Sequence, residues 1–512
     1  MSANRPAFRP EPLFDSATDS SALQSADSTQ TWVPVIGCSA DFPIEIFEPA
    51  VSQLLYHPEY NSTLILRTEI VSESENQIPA TVPSFQGYQP IRCIHRKLLP
   101  RRPGRDEGLE QYCTLYGQSV SDTDADPVPS LLVLTPIVDG AGSPPYYHPR
   151  VSHLAFRYVP AEAPSIRIEA VPLPDTPLDL NSRLYRTCLA LLETLHRYGW
   201  GTVTQYKKRV IHDRVVPRDA YQDLYLVLRE RHKHLVNEWH EVTDPLKHVF
   251  EDIGIATFLI LLWKRMYKLG PDEEGNTPLD EEPWRSWPRP PAGFVDLGCG
   301  NGLLTHILVS EGYEGCGVDV RARTSWSHYP EATQKSLRVE ALDPTAFIQP
   351  DYHHPSLLPG VFLIGNHADE LTPWVPVIAT LCRASGYLSI PCCAWTFDSR
   401  YERSRNVPYP TGMSLDEFIE TLHLGGDGSN ASSYSHYRIW LASLSLHCGW
   451  KVESETLRIP STRNWALIGR EHSWNSSAEE EGARQNVLNI LAEVDRRGMF
   501  KTRRPEGKAG DH

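Results

Sequence analysis

In Phe294-Val-Asp-Leu-Gly-Cys-Gly-Asn-Gly-Leu-Leu-Thr-His-Ile-Leu-Val309, three alternate glycines directly follow an apolar run. Phe294, Val295 and Leu297 suit a buried parallel strand, while Gly298, Gly300 and Gly302 remove the side chains that would hold a ligand away from a tight turn. Leu303, Leu304, Ile307 and Leu308 recur at helical spacing, so the turn opens on a helix N-terminus whose free N–H groups favour an electron-rich partner. A second strand is predicted over residues 315–320. Its Asp319 lies 23 positions beyond Asp296, the spacing at which an acid in a doubly wound sheet accepts hydrogen bonds from ribose hydroxyls. The pattern reads as a nucleotide-cofactor site, against a generic glycine-rich turn as the bland alternative. It is not the G-x-G-x-x-G of dinucleotide binders, and no Lys-Ser/Thr pair follows to cradle phosphate.

In such sheets ligands lie beyond the carboxyl ends of the strands, so the residues after the fourth, fifth and sixth predicted strands should face the reacting group. They are Asn366-His-Ala-Asp-Glu370, Cys392-Cys393 and Pro460-Ser-Thr-Arg-Asn464. Glu370, Asp369 and His367 are the available bases, with Glu370 or Asp369 favoured and Asn366 orienting substrate. The competing readings are acids placed in the first turn of a helix and a structural histidine. Cys392 and Cys393 suggest neither a disulfide nor a zinc site, since no second ligand pair has metal spacing, and no metal is expected. Arg458 and Arg463 suit a phosphate or a plain surface role.

The elements that must position these groups alternate as strand and helix. Strands are predicted at 294–297, 315–320, 337–342, 360–365 and 386–390, helices at 369–384 and 434–449, and a final hairpin at 451–458 and 464–470. That order implies a mostly parallel sheet with crossover helices. Upstream, residues 1–30 read as a disordered tail, and 31–180 as an accessory α+β domain of short strands (62–67, 91–95, 130–135, 154–158, 166–171). Residues 181–270 read as a helical region with helices at 184–198, stopped by Gly199, 217–239 and 245–269. Residues 271–292 read as an acidic, proline-rich linker, 293–473 as the catalytic domain, and 474–512 as a charged tail, an amphipathic helix with a basic end, outside the fold.

The chain has 512 residues, 40% hydrophobic, and a formal charge of −15. That length suits two or more cores, and that charge argues against a surface that is basic throughout. A local basic cluster exists nonetheless: Lys207, Lys208, Arg209, Arg214, Arg218, Arg229, Arg231 and Lys233 outnumber four acids between 207 and 233. A smaller one holds Arg92, Arg96, Lys97, Arg101, Arg102 and Arg105. Either suits phosphate or a solvated face. Ten cysteines without paired spacing fit free thiols in a reducing compartment, cytosol by default. No apolar run is long enough to span a bilayer.

The glycine turn resembles the D-x-G-x-G-x-G signature of class I methyltransferases that use S-adenosylmethionine. Further blocks, Tyr206-Lys-Lys-Arg-Val-Ile-His-Asp213, Thr243-Asp-Pro-Leu-Lys-His-Val-Phe-Glu-Asp252, Gly365-Asn-His-Ala-Asp-Glu-Leu-Thr372, Ile390-Pro-Cys-Cys393 and Leu457-Arg-Ile-Pro-Ser-Thr-Arg-Asn464, resemble those of the eukaryotic tRNA (uracil-2′-O)-methyltransferase family over about residues 180 to 470. The resemblance implies a Rossmann-like α/β methyltransferase sheet with an antiparallel last strand, beside the N-terminal α+β domain. In it Asp296 and the three glycines surround the methionine moiety, Asp319 holds the ribose and Asp343 sits near the adenine amine. It further implies methylation of the ribose 2′-hydroxyl of uridine 44 in serine tRNA, in the cytoplasm, with Lys207, Lys208, Arg209, Arg214, Arg458 and Arg463 as candidate RNA contacts and no protein partner. The Lys-Asp-Lys-Glu tetrad of other ribose methyltransferases has no counterpart lysines here, and the zinc-finger extension of some members has no matching spacing. The alternatives are a methyltransferase for small molecules or protein, and a non-catalytic tRNA-binding subunit.

Overall fold

The computed structural model describes residues 6–14, 23–26, 30–75, 77–118, 127–138, 142–205, 210–267, 282–349, 352–424 and 432–502. The chain forms two compact units, Met1–Lys207 and Lys208–His512.

The first unit comprises β1 (Glu11–Pro12), β2 (Val33–Ser39), α1 (Phe47–Tyr56), β3 (Ile65–Ser74), β4 (Tyr88–Pro100), β5 (Leu109–Gln118), β6 (Val128–Ile137), β7 (Val151–Val159), β8 (Ser165–Pro172) and α2 (Arg183–Val203). Its antiparallel sheet has the order β1-β2-β8-β7-β6-β5-β4-β3. The α2 stripe Leu184, Cys188, Leu192 and Leu195 packs with α1 against Ile36, Leu115, Leu132, Phe156 and Ile168 of one sheet face. Burying that stripe is worth about 1.5–3 kcal/mol per large side chain, so α2 belongs to this unit and the region expected as helical over 181–270 is divided. Gly199 does not stop the helix: a Cβ there would lie 2.2 Å from the Phe42 ring, so this glycine serves close packing within a helix that runs on to Val203. The N-terminal tail is also partly built in. Glu11–Pro12 pairs with β2, and buried Leu23 donates its N–H to the Glu169 carboxylate at 2.8 Å.

The second unit comprises α3 (Arg218–His232), α4 (Pro245–Met266), β9 (Phe294–Leu297), α5 (Leu303–Ser310), β10 (Gly315–Asp319), α6 (Glu331–Ser336), β11 (Leu337–Val339), β12 (Phe362–Asn366), α7 (Trp374–Leu381), β13 (Gly386–Ile390), α8 (Leu415–Thr421), α9 (Ser433–His447), β14 (Glu453–Thr456), β15 (Trp465–Gly469) and α10 (Ser477–Arg497). The sheet order is β11-β10-β9-β12-β13-β15-β14, parallel from β11 to β13, with β15 antiparallel to both its neighbours. Both faces are apolar, as a sheet covered on both sides requires. Phe294, Phe362, Ile364 and Leu388 meet α4 and α5 on one face; Val295, Leu297, Leu363 and Tyr387 meet α7 and α9 on the other.

Three expectations change here. The helix expected over 217–239 ends at His232, where Arg231 and His232 turn to the buried carboxylate of Glu311. Of the expected linker, residues 271–281 lie outside the described residues, but Trp284 beyond them is buried and donates to the same carboxylate at 2.8 Å. Burial pushes the Glu311 carboxyl upward, yet His232, Arg231 and Trp284 outweigh it and bring it to about 2. The tail after 474 is not outside the fold: Val487, Leu491 and Val494 of α10 are fully buried in the core that holds α7 and α9. Their i, i+4, i+7 spacing makes the packed face.

Candidate active site at the head of the sheet

The strand order reverses between β9 and β12, which makes the turn after β9 and the loop after β12 face one another across a switch point. Gly298, Gly300 and Gly302 have φ of 70°, 54° and 76°, the left-handed region that any Cβ would strain. Each is enforced differently. A Cβ at Gly302 would press on Leu337 at 2.8 Å, one at Gly298 would stand 3.7 Å from Ala368, and one at Gly300 would enter open space. Bare backbone at Gly300 is therefore open to a ligand. The turn is braced by Trp326, whose Nε1 donates to the Gly300 carbonyl at 2.9 Å. Asp319 closes it from β10, accepting from Gly300 N–H at 2.9 Å and Arg321 N–H at 3.2 Å.

Asp296 points from β9 toward α4. It is buried, takes a long 3.3 Å bond from Thr305, and its Oδ1 has no hydrogen-bond partner. Burial first, and the Asp319 charge, push its carboxyl up to about 7. Asp252 of α4 is buried in the same place and is likewise pushed well up, by burial and by Glu251 and Asp296. Two buried carboxyls held toward their protonated form, beside open backbone, suit a ligand carrying positive charge. These residues therefore fit a sulfonium cofactor with an α-ammonium group.

The loop after β12 holds the sequence-predicted bases. His367 and Asp369 are non-glycine residues at φ of 52° and 46°, a local strain of order 1–3 kcal/mol each that clusters at functional sites. His367 Nε2 lies 3.0 Å from Glu251 Oε1, and its Nδ1 has no partner. Burial pushes Glu251 upward, but hydrogen bonds from His367 and Ser461 and the charges of His367 and Lys247 outweigh it, so its carboxyl is lowered. Asn366 donates to Asp252 at 3.2 Å, leaving its own Oδ1 without a partner. Asp369 is exposed and accepts from the Cys392 thiol at 3.3 Å, which burial and that carboxylate push up to about 12. Glu370 is half-buried in the adjoining turn Asp369–Leu371. One Asp369 oxygen and the Cys392 and Cys393 sulfurs lie within 4.8 Å of one another. Three donors, two on adjacent residues, fall short of a closed four-ligand zinc site.

Among the described residues, the other predicted ones have partners of their own. Asp343 caps the 3-10 turn Pro344–Ile348, and its other oxygen accepts from Thr502 at 2.9 Å. Arg458 forms a two-point pair with Asp213, at 2.8 and 2.5 Å, on the exposed surface. Arg214 braces β14 through the Ser454 carbonyl at 3.3 Å. Exposed Arg463 lies over the Tyr434 ring at 3.7 Å, and the Tyr434 hydroxyl bonds Pro391 beside the cysteines. Lys207, Lys208 and Arg209 lie outside the described residues. Neither Glu251 nor Asp252 stands out as a site residue in the sequence. The signal that could have found them is Asp244-Pro245, which starts α4 and sets both acids two turns along one buried helix.

A switch-point turn of this kind, on a 3-2-1-4-5-7-6 sheet with an acid closing the second strand, defines an S-adenosylmethionine-dependent methyltransferase. In agreement, residues 215–273 and 284–344 match the family described as Predicted AdoMet-dependent methyltransferase, and residues 11–209 match the TRM44-like, N-terminal bet v1-like domain. Similar proteins are the tRNA (uracil-O(2)-)-methyltransferases of Schizosaccharomyces pombe, 34% identical over 86% of each chain, of Neurospora crassa, 32% over 93% of this chain and 94% of the relative, and of Saccharomyces cerevisiae, 30% over 87% and 90%. The chain belongs to the tRNA (uracil-O(2)-)-methyltransferase family. No solved structure matches it. Among the described residues no helix is long and apolar enough to cross a membrane.

The buried Asp296 carboxyl carries a pH signature. A carboxyl raised from the ordinary value near 4 to about 7 holds its proton in the folded state. Asp296 thus costs stability increasingly as pH climbs through that window, and the penalty is complete above it. A cationic ligand selects the ionised form. Cofactor affinity is expected to fall roughly tenfold per pH unit below about 7 and to level off above it. Asp296→Asn should flatten that profile; calorimetric titrations between about pH 5.5 and 8.5 check it.

Proposed function

We propose that the protein transfers the methyl group of S-adenosylmethionine to the ribose 2′-hydroxyl of a tRNA uridine, position 44 of serine tRNA by the resemblance of its sequence blocks, in the cytoplasm. The observation that carries this reading is the His367–Glu251 pair at 3.0 Å. A ribose hydroxyl, a weak acid, must lose its proton as the new bond to the methyl carbon forms. A carboxylate-oriented imidazole is built for that loss.

When bound, S-adenosylmethionine supplies a methyl group on a positively charged sulfur, open to in-line attack. Asp296 and Asp252 would offset that positive charge, the glycine turn would let backbone approach, and Asp319 would hold the ribose. Glu251 fixes the imidazole through Nε2, so that Nδ1 is the atom that accepts the hydroxyl proton. Asn366 Oδ1, also without a partner, orients the acceptor. Positioning in a dry cleft contributes the rest. Arg463, exposed beside Pro391 through Tyr434, is a candidate phosphate contact.

A serine tRNA transcript carrying 2′-deoxyuridine at position 44 tests the reading. It should lose methyl acceptance while a deoxy substitution at a neighbouring position leaves it intact. Full acceptance by the 44-deoxy transcript overturns the assignment.

A further inference from the structure

The first unit holds a cavity of about 510 Å³ between α2 and the sheet, within the roughly 300–1,000 Å³ of small-molecule pockets. Its walls combine apolar Leu54, Leu134 and Phe156 with the cations Arg96, Arg183 and Arg186, and among the described residues no Asp or Glu lines it. Arg96 is 3% exposed, and its partners are neutral: the Gln111 amide oxygen takes Nε and Nη2, and the carbonyls of Leu54 and Leu55 at the end of α1 take Nη1. Of five guanidinium N–H groups, one remains on Nη2. A buried guanidinium without a carboxylate is costly unless an anion joins it.

The mouth has matching chemistry. Arg183 lies over the Tyr146 ring at 3.9 Å, and Tyr146 is 72% exposed. Arg183 and Arg186 stand on the first turn of α2, where the helix end adds partial positive charge. Buried His148 donates Nδ1–H to the Pro149 carbonyl, so it faces Gln111 as a neutral ring; burial, with the Arg96 and Arg183 charges, pushes it down to about 4. Asp106 and Glu107 act on Tyr147 at the rim but do not line the cavity.

We propose that this cavity binds a phosphate-bearing nucleotide, with the phosphate on Arg96, Arg183 and Arg186 and the base against the exposed Tyr146 ring. Arginine forks match phosphate oxygens, and an aromatic platform accepts any base. The nucleotide is either free or a segment of RNA.

The test uses the full chain and titrates uridine 5′-monophosphate, with uridine as the phosphate-free control. Because Arg96 also holds the end of α1, the variants are Arg183→Ala and Arg186→Ala combined, with S-adenosylmethionine affinity as the check that the second unit is intact. Uridine monophosphate should bind the wild type, bind the double variant at least tenfold more weakly, and outbind uridine at least tenfold. If the double substitution also weakens tRNA binding, the source is RNA; if tRNA binding is unaffected, the source is a free nucleotide. Absence of binding, equal binding by the double variant, or equal binding of uridine overturns the proposal and leaves the methyl-transfer reading untouched.

Discussion

Asp319→Ala is expected to weaken S-adenosylmethionine binding by about 1–3 kcal/mol, roughly 5- to 150-fold, and to leave the fold intact. The carboxylate has two jobs that the substitution removes together. It accepts the N–H groups of Gly300 and Arg321, contacts that hold the glycine backbone in its left-handed course, and it is the acid proposed to bond the ribose. Asp319 ends β10 and is not a member of the apolar clusters on either sheet face. Asp319→Asn should recover part of the affinity, because an amide oxygen still accepts one N–H. Calorimetric titration of each variant checks both statements; cofactor affinity unchanged in Asp319→Ala would remove the ribose role.

The second large effect concerns proton transfer. His367→Ala should lower turnover by about 10²–10⁴-fold, the usual contribution of a positioned base, with cofactor affinity unchanged. Glu251→Gln should lower it less, since the imidazole keeps a hydrogen-bond partner but loses the charge that steadies its protonated form. Glu370→Gln and Asp369→Asn are the discriminating controls. Asp369 is exposed and engaged with Cys392, and Glu370 sits in the adjoining turn, whereas a buried carboxylate orients His367. Single-turnover rates on tRNA separate the cases: a large loss in Glu370→Gln with little loss in His367→Ala would move the base to Glu370.

The cofactor turn is legible in the sequence because its chemistry is local. Three glycines, the strand before them and the acid at 319 lie within one βαβ unit, and periodicity alone orders them. The partner of His367 is a different matter. Glu251 lies 116 positions upstream on a helix whose buried face reads as ordinary core, and only the switch-point geometry brings it across. Gly199 shows the converse. A glycine after an apolar stripe signals a helix end, but the Phe42 ring against its bare Cα overrides that local preference. Strand β5 is hidden because Gln111, buried under Arg96, interrupts the apolar alternation of Leu109, Cys113 and Leu115. Similarly, α10 is legible as an amphipathic helix, but nothing local shows that its narrow Val487, Leu491 and Val494 stripe docks on the α7 and α9 surface.

The most direct measurement is the position of the transferred group. Incubation with methyl-labelled S-adenosylmethionine and transcribed serine tRNA, followed by digestion to nucleosides, should place the label in 2′-O-methyluridine. Label in a base-methylated nucleoside or in protein, or no transfer by a chain that binds the cofactor, would contradict the account.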